Sequence, residues 1–113
     1  MSKISWDKYG LSEANGQRML DILSAFTEVR EVILFGSRAK GNYKPGSDID
    51  IAVKGAITKD VQARLLTAFE ESLLPYFVDV VVYDRLQNEA LREHIDRVGV
   101  TLFNEERRTK NEE

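Results

Sequence analysis

Gly36-Ser37-Arg38-Ala39-Lys40-Gly41-Asn42-Tyr43-Lys44-Pro45-Gly46-Ser47-Asp48-Ile49-Asp50 sets a Gly-Ser pair ten residues ahead of an Asp-x-Asp pair. The apolar run Val32-Ile33-Leu34-Phe35 precedes it, so the Gly-Ser amides follow a strand, where a turn opening a helix can hold an anion. Beyond the loop, Asp48-Ile49-Asp50-Ile51-Ala52-Val53 alternates carboxylates with Ile49, Ile51 and Val53. That is the period of a half-buried strand carrying both carboxylates on one face. The stretch reads as a strand, a phosphate cradle, a loop and a second strand that begins in a metal site. Four such residues at one fixed spacing arise by chance on the order of once in a thousand chains of this length. Singly each has a plain use, Gly36-Ser37 as a strand-ending turn and Asp48 as an Asx cap of the loop.

Working outward, a helix is predicted from Ser12 to Val29, with Met19, Ile22, Leu23 and Phe26 at helical spacing and Trp6 and Tyr9 packed over it. Val32 to Phe35 forms the first strand, Ser37 to Lys40 a short helix, and Gly41 to Ser47 a loop rich in Gly, Asn and Pro. Thr58 is placed to cap a helix whose face is Val61, Leu65, Ala68, Phe69 and Leu73, with Pro75 as its stop. A third strand follows as Val78 to Tyr83, then a helix from about Gln87 to Val98 with Leu91, Ile95 and Val98 inward, and a short edge strand from Val100 to Phe103. His94 reads as a surface or flanking residue of that helix. The fold class is α/β (α+β), a small mixed sheet flanked by helices, with residues 1–103 as one domain and 104–113 as a charged tail.

Asp79 interrupts the valine-rich third strand. A carboxylate buried there without a partner costs several kcal/mol and favours its protonated form; backbone donors would satisfy it, and so would a cation. If Asp79 shares a face with Asp48 and Asp50, three carboxylates meet at one end of the sheet, same-face neighbours lying about 6.6 Å apart along a strand. Oxygen ligands alone suit Mg²⁺ or Mn²⁺, and Mg²⁺ usually completes its shell with substrate phosphates. Ser37 and Arg38, with Lys40 or Lys44, are placed to meet those phosphates.

Composition bounds the function. The 113 residues carry a formal charge of -3, 42% hydrophobic and 31% charged residues, no cysteine and one histidine. This suits a soluble globular domain. It excludes disulfide and thiolate chemistry and most histidine-based sites, and argues against direct nucleic-acid binding, which favours a basic excess. Neither a signal peptide nor a run near the roughly 18 apolar residues of a membrane span is visible, so a cytoplasmic location is expected.

Taken together, Phe35 to Gly41, Ser47-Asp48-Ile49-Asp50-Ile51 and Val78-Asp79-Val80-Val81 resemble the minimal nucleotidyltransferase family of the polymerase-β-like nucleotidyltransferase superfamily. The resemblance spans the chain from the first helix to about Phe103. It implies a small mixed sheet flanked by helices, catalytic metals on Asp48 and Asp50, and Asp79 as third metal carboxylate, helping to activate the attacking hydroxyl. Gly36, Ser37, Arg38 and Lys40 would hold the triphosphate. The implied reaction is transfer of AMP from ATP, with Mg²⁺, to a hydroxyl. Short members resemble the antitoxin half of a two-component system whose other half is a helical HEPN-domain RNase, adenylylated on a tyrosine. Larger superfamily members grip their acceptor with a further domain that a chain of this size lacks room for, so the acceptor surface is expected from a second subunit. The alternatives are a non-catalytic partner-binding antitoxin and nucleotidyl transfer to a small molecule such as an aminoglycoside.

Overall fold

The computed structural model describes residues 4–104. A 3-10 turn at Trp6–Tyr9 leads to α1 (Glu13–Ser24), β1 (Val29–Phe35), α2 (Gly36–Lys40), β2 (Ile49–Gly55), α3 (Lys59–Glu70), β3 (Val78–Val82), α4 (Glu89–Val98) and β4 (Val100–Asn104). The expected elements are present, with shifted ends. α1, α3 and α4 start at side-chain caps, because a helix leaves its first amides without backbone partners. Ser12 Oγ accepts the Asn15 amide, Thr58 Oγ1 the Val61 amide and Asn88 Oδ1 the Leu91 amide, each at 3.1 Å.

Two helices stop earlier than their apolar spacing suggests. α1 ends at Ser24, and Val29 already pairs with Gly55 as the first residue of β1. α3 ends at Glu70 rather than at Pro75, because the Ser72 hydroxyl donates to the Phe69 carbonyl at 2.6 Å and accepts the Leu74 amide at 3.2 Å. A side chain that satisfies the backbone locally competes with the helix. Leu73, expected on the buried face, is 79% exposed.

The four strands are ordered β3-β2-β1-β4. β1 runs antiparallel to β2 and β4, and β2 runs parallel to β3, so the sheet is mixed. Period-two alternation divides its faces. Val32, Leu34, Ile49, Ile51, Val53, Val78 and Val80 belong to the larger core, together with Met19 and Leu23 of α1 and Leu65 and Phe69 of α3. Trp6 joins them, its ring so close to Gly16 that any side chain at that helical position would collide with it. The opposite face is thinner, with Ile33, Phe35 and Ala52 packed on Ile95 of α4. Each fully buried Leu, Ile or Val contributes about 1.5–3 kcal/mol, so stability is concentrated on the α1 and α3 side. The other face is left with polar positions at one end. The expected tail begins at Asn104, the last residue of β4, and its other residues, 105–113, lie outside those described.

Candidate active site

Those polar positions belong to β2 and β3. Asp50 is flanked in the sheet by Phe35 of β1 and Asp79 of β3. All three belong to the thinner face, since Ile49, Ile51, Val78 and Val80 take up the other. Asp48 lies one residue before β2 and is exposed, Asp50 is half-buried, and Asp79 is exposed. The expectation that Asp79 is buried is therefore wrong. β3 is an edge strand whose three buried valines, Val78, Val80 and Val82, fill the larger core, so the exposed carboxylate on the other face needs no partner to be tolerated.

Gly36 closes β1 against this pair. Its φ is +77°, a region that L side chains rarely adopt, and a Cβ there would lie 2.3 Å from Asp50 Oδ2. Both conformation and space demand glycine. α2 follows for little more than one turn, its end closed by Gly41 at φ +87° with the Gly41 amide donating to the Ser37 carbonyl at 2.9 Å. Ser37 is half-buried at its first turn, and Lys40 and Lys44 are exposed beside the loop.

Arg38 has a different job from the one expected. It is 1% exposed. Its Nε and Nη2 donate to the Ser47 carbonyl at 3.1 and 2.8 Å, and its Nη1 donates to the Tyr9 and Gly10 carbonyls at 2.9 and 3.1 Å. The guanidinium lies 4.6 Å from the Tyr76 ring centre and 5.4 Å from that of Tyr43. Committed to backbone carbonyls and covered by aromatic rings, it is a structural tie rather than a phosphate ligand. It fixes Ser47, immediately ahead of Asp48, against the chain's first turn.

Electrostatics single out Asp50. Its carboxyl is raised above the usual carboxylate value, chiefly by burial, then by the negative charges of Asp79 and Asp48, with His94 acting in the opposite sense. Hard oxygen donors that repel one another are a set a divalent cation would relieve, so these residues fit such an ion. They do not form a finished cage. Among the described residues no three carboxylate or imidazole groups are gathered closely enough to enclose a metal, so the convergence expected of the three carboxylates extends to their strand positions and not to a preformed cluster. This arrangement suits Mg²⁺, which keeps waters and substrate oxygens in its shell.

One residue of the site was missed in the sequence. His94 Nε2 accepts the Gly36 amide at 3.2 Å, and the ring stands edge-on to Phe35 at 6.0 Å. The signal was present, because position 94 is three residues after Leu91 and joins Leu91, Ile95 and Val98 on the same helical stripe.

The chain is similar to known proteins in sequence and in fold. Residues 17–108 match the family described as polymerase beta, nucleotidyltransferase. The chain is 40% identical over 75 residues to the protein named probable protein adenylyltransferase MntA of Haemophilus influenzae, a match covering 65% of each chain. Among solved structures, it is similar to one of a toxin-antitoxin with AMP-PNP, with a TM-score of 0.67 and 26% identity over 80% of this chain and 73% of that one. It is also similar to a minimal nucleotidyltransferase, with a TM-score of 0.57 and 32% identity over 77% of this chain and 88% of that one. With the Gly-Ser turn, the flanked Asp50 and the match over most of its length, the chain belongs to the polymerase β nucleotidyltransferase family.

Proposed function

We propose that this chain is a cytoplasmic, metal-dependent adenylyltransferase that moves AMP from ATP onto a tyrosine hydroxyl of a helical HEPN-domain RNase, and so acts as that protein's antitoxin. The observation that carries the reading is the register placing Asp50 between the Gly36 turn and Asp79. Phosphate-holding and cation-holding groups then meet at one sheet end. The likeness to a protein adenylyltransferase and to a toxin-antitoxin with AMP-PNP supports ATP as donor and a protein as acceptor.

In the proposed reaction the acceptor oxygen bonds to the α-phosphorus of ATP while the bond from that phosphorus to the bridging oxygen of the β-phosphate breaks. Pyrophosphate leaves, and the hydroxyl proton passes to a carboxylate oxygen of Asp79. Ser37 holds the outer phosphates with its hydroxyl, and Lys40 and Lys44 neutralise them from the exposed loop. Asp48, Asp50 and Asp79 would hold Mg²⁺ or Mn²⁺. A bound cation supplies charge neutralisation and in-line alignment, so that positioning and electrostatics carry most of the catalysis.

The test is to incubate the chain with its helical partner, Mg²⁺ and α-labelled ATP. Label should move to the partner, and Asp48→Asn or Asp50→Asn should reduce transfer by at least ~100-fold with the complex retained. Complex formation without label in the wild type would refute the proposal. Label on a small hydroxyl acceptor, with none on protein, would transfer it to small-molecule chemistry.

A further inference from the structure

We infer that His94 is a positioning residue for the nucleotide, holding the Gly36 peptide so that Ser37 is presented to the phosphates. This rests on the nucleotidyl-transfer reading above. Gly36 has no side chain to fix its own orientation, and at φ +77° it lies so near the Asp50 carboxylate that a Cβ would come within 2.3 Å of Oδ2. Its amide donates to His94 Nε2 at 3.2 Å, across 58 residues of sequence. The glycine is thus gripped between a carboxylate of the site and an imidazole from α4. Nε2 can accept this hydrogen bond only in an imidazole whose proton is on Nδ1.

The support for His94 is itself built in. Its ring stands at 81° to Phe35, the residue before the glycine, and the next residue, Ile95, is 1% exposed in the thinner core beneath. α4 is thereby registered on the end of β1, and its imidazole hydrogen-bonds the Gly-Ser turn. A consequence follows for the cradle. The Gly36 amide is already engaged, so the groups offered to phosphate begin at Ser37.

Three variants of the full chain separate the hydrogen bond from the packing. His94→Phe keeps a ring against Phe35 and removes the acceptor. His94→Gln removes the ring and keeps an oxygen at about the reach of Nε2. His94→Asn is polar but too short to reach the amide. Binding of AMP-PNP with Mg²⁺ is measured by calorimetry, partner labelling is resolved into kcat and the KM for ATP, and melting temperatures are recorded. His94→Phe and His94→Asn should weaken analogue binding and raise KM by about five- to tenfold, the loss expected for one hydrogen bond, with kcat within about twofold. His94→Gln should recover most of the binding. Phe or Asn variants that bind as the wild type does, or a Gln variant no better than Phe, would overturn the inference while leaving nucleotide transfer intact. A wild-type chain that binds no analogue would overturn both.

Discussion

Arg38 brings a full positive charge to a position that is 1% exposed, which is tolerable only because carbonyl oxygens and ring faces replace its water. The sequence shows Arg38 beside the Gly-Ser pair and invites a phosphate role. It does not show that the carbonyls of Tyr9, Gly10 and Ser47 converge there, since these come from segments as far as 29 residues away. Arg38→Lys keeps the charge and loses the planar fork, so it should lower unfolding free energy by about 2–4 kcal/mol in urea denaturation. A change below about 0.5 kcal/mol would mean the clamp contributes little.

Asp50 behaves in the opposite way. Its pKa is raised on folding, so between the unfolded value near 4 and the folded value the native chain holds the extra proton. Stability of the ligand-free chain is therefore greatest below the unfolded value and declines as pH rises through the folded one. Asp50→Asn removes that penalty and should melt at a higher temperature than wild type at neutral pH. The difference should shrink as pH falls toward about 4. An Asn variant that melts lower at neutral pH would show that the carboxylate is not held at a cost.

At the scale of elements, order and type were legible because each helix and strand carries its own period, while the ends were set by details outside that period. Thr58 was readable as a cap, and its hydroxyl accepts the Val61 amide; Thr58→Ala should cost about 1 kcal/mol by denaturant titration, and no measurable loss would contradict the cap. The end of α3 was not readable. The Ser72 hydroxyl turns the chain before the apolar spacing runs out, leaving Leu73 outside. His94 was missed for a related reason, since the stripe that includes it was read only for its apolar members. Asp79 was placed on the right strand and face, but its exposure depends on β3 being an edge, which local sequence does not encode.

In the whole molecule, one face of the sheet supplies most of the buried apolar surface, and the other gives up one end to charge. Stability and function should therefore separate on mutation. Leu65→Ala, fully buried between α3 and the sheet, should cost about 2–5 kcal/mol while leaving transfer per folded molecule unchanged; a proportionate loss of transfer would show that the two faces are coupled. The site itself is open, with Asp48 and Asp79 exposed at the end of β2 and β3. That openness matches an acceptor brought by another protein. The most direct measurement is the intact mass of the helical partner after co-expression with the wild-type chain or with Asp50→Asn. The partner should carry the mass of at least one AMP with wild type and none with the variant, both complexes purifying together. An unmodified partner in a stable wild-type complex would contradict the proposed transfer.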